Sequence, residues 1–167
     1  MASRKKILII NTGGTFNKVY NPKNGMLEID KTSQALENIA NTWLCDFEIR
    51  NILGKDSLEM NNQDRLEILG TISESPQSHI IIIHGTDTMD LSSDYIADAQ
   101  LEKCVVFTGA MVPYSIDPVE ATANLASAYG FMHALETHGI YIAMNGVIDS
   151  YEKVKKDHRK GKFVTKG

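Results

Sequence analysis

Four consecutive isoleucines, Ile80 to Ile83, stand inside the stretch Ser78 to Asp90, SHIIIIHGTDTMD. A continuous β-branched run bounded by polar residues does not suit a half-exposed strand, in which apolar and polar residues alternate. It suits a strand buried on both faces, in the middle of a parallel sheet covered by helices. His84, Gly85, Thr86, Asp87 and Thr88 follow at once, so imidazole, hydroxyl and carboxylate groups collect where the strand hands over to a helix. In open α/β sheets, ligands bind at that carboxyl end.

The rest of the chain supplies neighbours for such a strand. Lys6 to Asn11 predicts a first buried strand running into Thr12, Gly13, Gly14 and Thr15, where paired glycines permit a tight turn and close approach of a ligand. The turn-rich segment Asn21-Pro22-Lys23-Asn24-Gly25 lies between two short strand-like runs and predicts a β-hairpin flap. Leu36, Ile39, Ala40, Trp43 and Leu44 recur at helical spacing, with Thr32 or Ser33 as the cap. Phe47 to Leu53 reads as a strand, Asp56 to Met60 as a polar loop, and Leu66, Leu69 and Ile72 as a helix ending near Ser75-Pro76.

Beyond the isoleucines, Leu91 to Leu101 reads as helix, and Cys104 to Thr108 as a buried strand leading into Gly109, Ala110 and Met111. Asp117-Pro118-Val119-Glu120 combines a capping aspartate with proline at the first helical position. The helix it opens carries Leu125, Tyr129, Met132 and Leu135 on one face and is expected to stop at His138-Gly139, with Gly139 as a left-handed cap. Ile140 to Met144 is the last clear strand, and the remainder is basic and polar. This alternation predicts an α/β fold of three layers: a mostly parallel, Rossmann- or flavodoxin-like sheet with helices on both faces and a hairpin flap after the first strand. A length of 167 residues suits a single domain over residues 1–167.

Composition removes several function classes. A net charge of −4 leaves no electrostatic footprint for nucleic acid or an anionic membrane. The apolar run Ile7 to Ile10 is too short for a signal peptide or a membrane span. Cys45 and Cys104 have neither CxxC spacing nor a disulfide framework, and read as buried, reduced thiols of a cytoplasmic protein. His79, His133, His138 and His158 lack ligand spacing, so no metal is expected.

In a parallel sheet the polar groups after successive strands open on one edge: Thr12 and Thr15, then Ser57, then Thr86 and Asp87, then the lysines after the last strand. A threonine hydroxyl attacks a carbonyl only with a neighbouring base, which an Asp–Lys pair beside a second threonine supplies. Backbone N–H groups of the glycine turn would meet the oxyanion. Acyl transfer follows from this inventory, and so does a phosphate cradle, although no P-loop or GxGxxG pattern supports the latter.

NTGGT at Asn11 to Thr15, HGTDTM at His84 to Met89 and GAM at Gly109 to Met111 resemble, in order and spacing, the signature blocks of the bacterial L-asparaginase family. The resemblance spans most of the chain and corresponds to that family's amino-terminal domain. It implies hydrolysis of a side-chain carboxamide, from asparagine or a related small amino-acid amide, without metal or organic cofactor. It further implies that Thr15 is the nucleophile, Thr86 the second active-site threonine, and Asp87 the carboxylate that meets the substrate amino group and orients the relay. Ser57 would bind the substrate carboxylate, with Gly14, Gly85 and Ala110 lining the pocket. Tyr20 is the candidate flap tyrosine, and Lys155 the relay lysine, with Lys153 and Lys156 as alternatives. Leu58, Val112 and Glu120 depart from the family's usual residues. A lone domain of this kind is expected to form a homo-oligomer, dimer or tetramer, and its alternative role is a non-catalytic amino-acid-binding or regulatory module.

Overall fold

The computed structural model describes residues 5–43 and 47–167. Strand β1 (Ile7–Gly13) leads through a short 3-10 turn into the hairpin β2 (Lys18–Asn21) and β3 (Met26–Ile29), followed by α1 (Gln34–Trp43) and β4 (Glu48–Lys55). Next come α2 (Asn62–Glu74), β5 (His79–Ile83), α3 (Met89–Ala97), β6 (Cys104–Thr108), α4 (Pro118–Ala134) and β7 (Gly139–Met144). Three short strands, β8 (Val147–Ser150), β9 (Val154–Asp157) and β10 (Lys162–Thr165), complete the described chain.

The main sheet runs β4-β1-β5-β6-β7-β8. Its first five strands pair in parallel, and β8 folds back antiparallel on β7. Counted among themselves, the parallel strands follow the flavodoxin-like order 2-1-3-4-5. The chain therefore reverses its direction of travel across the sheet between β1 and β5. At that switch point the connections leave in opposite directions and open a crevice at the strand ends.

Isoleucines fill both sides of β5 because helices cover both sides. Ile81 and Ile83 pack with Ile7 and Ile9 of β1 against Leu36 and Ile39 of α1 and Leu125 and Met132 of α4. Ile80 and Ile82 pack with Leu8 and Ile10 against Ile68 and Ile72 of α2 and Met89 and Ile96 of α3. All four isoleucines are fully buried. Each stabilises the fold by about 1.5–3 kcal/mol through the apolar surface it removes from water.

The structure departs from the sequence expectations at several ends. Helix α1 is capped by Asp30, whose carboxylate accepts the N–H groups of Thr32 and Gln34 (2.9 and 3.0 Å), whereas Ser33 turns inward and accepts from Asn11 Nδ2. Helix α3 starts two residues earlier than expected and stops at Ala97. Helix α4 begins as expected, with Asp117 accepting the Val119 N–H, but ends at Ala134, and Gly139 opens β7 rather than capping the helix. The basic tail is not irregular. It forms β8 and a separate β9–β10 ribbon. Cys104 is buried and free, while Leu44 and Cys45 lie outside the described residues.

The junction of β5 with α3 is fixed from beneath by His84, which is fully buried. Arg65 Nε donates to Ser92 Oγ at 3.0 Å, Ser92 Oγ stands 2.7 Å from His84 Nε2 and 3.7 Å from Met60 Sδ, and the Gly85 carbonyl that meets His84 Nδ1 can only accept. His84 is then the neutral Nδ1–H tautomer, and it donates to the Gly85 carbonyl at 2.7 Å. Burial, helped by the Arg65 charge, pushes the His84 pKa down to about 4. The folded chain resists protonation that the unfolded chain accepts, so this contribution is complete above pH ~6.5 and is lost as pH falls toward ~4. Urea unfolding of the parent and His84→Gln at pH 7 and 4.5 checks it: the parent is expected to lose about 2 kcal/mol more than the variant over that interval. Equal losses would contradict the assignment.

Candidate active site

At the switch point, two backbone turns meet. Gly13 and Gly14 adopt positive φ (108° and 73°), which only glycine tolerates without strain. A Cβ on Gly14 would lie 2.6 Å from the Gly85 nitrogen, and one on Gly85 would lie 2.7 Å from Ser57 Cβ and Oγ. Gly85 is thus stacked between Gly14 and Ser57. This contact sets the segments that begin at Thr15 and Thr86 side by side.

Side chains hold each turn in place. Thr12 Oγ1 donates to the Ile83 carbonyl at 2.7 Å, which engages that hydroxyl structurally and distinguishes it from Thr15. Asn17 donates to the Gly13 carbonyl and to Asn11 Oδ1 (2.7 and 2.9 Å), clamping the glycine turn across its base. The sequence does not single out Asn17 and Asn11 as site residues, and nothing in their spacing marks them. Thr15 itself is half-buried, and its hydroxyl has no protein partner among the described residues.

An ion pair joins the β5 turn to the β9–β10 ribbon. Lys156 Nζ donates to Thr86 Oγ1 at 2.8 Å and to Asp87 Oδ1 at 2.8 Å. The lysine side chain is 14% exposed and that of Asp87 35%, so the ion pair is mostly removed from bulk solvent on the lysine side. The second carboxylate oxygen of Asp87 has no protein partner among the described residues. A small cavity of about 120 Å³ adjoins the pair, lined in part by Thr86, Asp87, Lys155, Lys156 and Phe163.

Lys155, the expected relay residue, does not make this contact. Successive residues of a strand point to opposite faces, and in β9 Val154 is buried, Lys155 exposed and Lys156 turned inward again. Lys153 is exposed as well. Tyr20 is also not brought to the site. It is 63% exposed on the flap, paired with Leu27, and its hydroxyl lies over the turn at Gly25.

Ser57 is 1% exposed, and its hydroxyl accepts the Thr88 N–H at 3.2 Å while its carbonyl accepts Thr88 Oγ1 at 2.8 Å. It ties the loop after β4 to the start of α3. Ala110 is buried next to Gly109, whose carbonyl accepts Asn124 Nδ2 at 2.9 Å. Glu120 Oε1 accepts the N–H groups of Met111 and Val112 (2.6 and 3.0 Å), so this acidic side chain secures the loop after β6. Among the described residues no cluster of three or more His, Cys, Asp or Glu is arranged to hold a metal ion, and no helix is long and apolar enough to cross a membrane.

Comparison with known proteins shows what this fold and sequence resemble. A glutamyl-tRNA(Gln) amidotransferase subunit of Methanococcus vannielii is 28% identical over 155 residues, covering 87% of this chain and 35% of that protein. The thermostable L-asparaginase of Thermococcus kodakarensis superposes with a TM-score of 0.80 at 26% identity, over 96% of this chain and 51% of that one. A probable cytoplasmic L-asparaginase of Campylobacter jejuni does so with a TM-score of 0.71 at 25% identity, over 93% and 50% of the two chains. L-asparaginase I of Vibrio cholerae, at 21% identity, shares the fold with a TM-score of 0.80 over 98% and 52%. The chain spans about half the length of these structures and about a third of the curated relative. Residues 6–162 match the family described as Asparaginase, N-terminal, and the chain therefore belongs to the asparaginase family.

Proposed function

We propose that this chain is an asparaginase-like amidohydrolase acting on a small amino-acid amide, asparagine or a close relative. The observation that carries the reading is Lys156 Nζ at 2.8 Å from both Thr86 Oγ1 and Asp87 Oδ1, beside the turn that presents Thr15. Lys156 contacts Thr86 Oγ1 directly, so a lysine nitrogen with its lone pair free can accept the Thr86 proton while Thr86 Oγ1 takes one from its other side. With Lys156 neutral, a proton passes from an attacking O–H to Thr86 and from Thr86 to the lysine.

Thr15 Oγ1 attacks the carboxamide carbon, the C–N bond breaks, and the threonine proton leaves with ammonia. Water then attacks the Thr15 ester, releases the acid and restores the hydroxyl. Asp87 holds Lys156 and offers its second oxygen to the substrate ammonium. The glycine turn lets the backbone approach the acyl group, with Gly14 and Gly85 packed on one another and Ala110 closing the far side. Ser57 supports substrate binding by fixing Thr88 and the loop above it, and direct carboxylate recognition would use the hydroxyl proton that this bond leaves free. None of these steps requires a metal or organic cofactor.

A cytoplasmic setting accords with the free thiol of Cys104 and with the name of the Campylobacter jejuni relative. One folded domain, residues 1–167, would assemble into a homo-oligomer, because the flap leaves Val19, Tyr20, Met26 and Leu27 exposed. Tyr20 would then join the site only through movement of the flap or its contact with another copy.

Ammonia release from asparagine, glutamine and related amides tests the reading. Thr15→Ala and Thr86→Ala are expected to lower the rate at least ~10³-fold. Lys156→Met is expected to cost about 10²–10⁴-fold, whereas Lys155→Met leaves the rate unchanged. No ammonia from any amide would refute the enzyme, and asparagine or aspartate binding in calorimetry without turnover would establish the binding-module alternative. Sedimentation is expected to show a dimer or tetramer at micromolar concentration. A monomer would rule out the proposed assembly.

A further inference from the structure

The β9–β10 ribbon that delivers Lys156 is not hydrogen-bonded into the main sheet. Besides the turn bond from Val154 N–H to the Tyr151 carbonyl just before it, its hydrogen bonds to the rest of the fold among the described residues are those of Lys156 itself and one from Phe163 N–H to Asn145 Oδ1 at 2.9 Å. Phe163 stands opposite Lys156 in the ribbon register and is 3% exposed. The Asn145 bond therefore fastens the ribbon at the very position that carries the lysine.

Asn145 is itself held on every polar atom of its side chain. It opens the two-residue turn between β7 and β8, with φ of 54° followed by 80° at Gly146. Asn-Gly is the pair that adopts such a turn at least cost. Turn chemistry explains the backbone but not the side chain. Asn145 Nδ2 donates to Glu120 Oε2 at 3.0 Å, and the Asn145 N–H donates to Asn124 Oδ1 at 3.0 Å. Glu120 uses its other oxygen for the N–H groups of Met111 and Val112. One carboxylate thus links the loop after β6, helix α4 and the turn, and Asn145 extends that link to the ribbon.

We propose that Asn145, oriented by Glu120, is a positioning residue for Lys156: the Glu120–Asn145–Phe163 clamp sets the depth at which the ribbon inserts the lysine between Thr86 and Asp87. The catalytic consequence rests on the amide-hydrolysis reading, but the placement of Lys156 does not. Both are measured separately.

Asn145→Gly keeps the left-handed turn and deletes the clamp. Asn145→Asp sets a carboxylate against Glu120, and the double variant Asn145→Asp/Glu120→Gln restores a hydrogen bond with donor and acceptor exchanged. Limited acetylation of the whole folded chain, read by mass spectrometry, reports the accessibility of Lys156 against that of the exposed Lys155. Lys156 labelling is expected to rise severalfold in Asn145→Gly and Asn145→Asp, with Lys155 unchanged, and to return toward the parent level in the double variant. In ammonia release, kcat should fall by up to about 10²-fold in Asn145→Gly with KM nearly constant, since a displaced relay group slows the chemical step without removing ground-state contacts. Unchanged Lys156 labelling in Asn145→Gly, or a double variant no better than Asn145→Asp, would overturn the clamp. If Asn145→Gly fails to fold, the Asn145→Asp pair decides alone. A parent chain that releases no ammonia refutes the hydrolase and leaves the labelling result to decide the clamp.

Discussion

Everything at the site depends on two backbones touching where side chains will not fit. Gly14 and Gly85 approach so closely that a Cβ on the first would sit 2.6 Å from the nitrogen of the second. Their neighbours differ in kind: Thr15 follows one turn with an uncommitted hydroxyl, and Thr86 follows the other with its hydroxyl tied to a lysine. The parallel sheet makes this meeting possible, because β1 and β5 are adjacent strands whose connections depart in opposite directions. The fully buried isoleucines of β5 make it rigid. A strand with one wet face would let the turn breathe.

The layer beneath the turns is polar but closed. His84, Ser92 and Arg65 form a chain of hydrogen bonds whose end is the carbonyl of Gly85. A buried polar network of this sort stabilises only when every member is satisfied, and it then specifies one geometry. Asn11 and Asn17 do the same for the first turn. Against these preset turns the β9–β10 ribbon, a separate two-stranded sheet, brings the amine on which the proposed proton transfer depends.

The buried half of this architecture is legible in the sequence because doubly covered strands leave continuous apolar runs. Lys6 to Asn11, Ile80 to Ile83 and Cys104 to Thr108 all mark strands of the sheet. The helix-start signal at Asp117-Pro118 holds in the structure, cap and proline alike. The carboxy-terminal strands are not legible as apolar runs, since they are four residues long and mostly polar. Their signal is the Asn145-Gly146 dipeptide between Met144 and Val147, a hairpin turn by composition alone. Which lysine reaches Thr86 is a matter of parity: once Val154–Asp157 is a strand with Val154 inward, Lys156 shares that face and Lys155 does not. Tyr20 differs in kind. Its strand is legible, but a hairpin outside the core gives a side chain no reason to point inward.

The central claim is that Thr15 forms the covalent bond and Thr86, held by Lys156, serves it. Rapid acid quench during turnover of asparagine, followed by peptide mass spectrometry, tests this most directly. The account predicts one aspartyl group on the peptide bearing Thr15. An aspartyl group on Thr86, or turnover with no covalent adduct under conditions that trap esters, would contradict it.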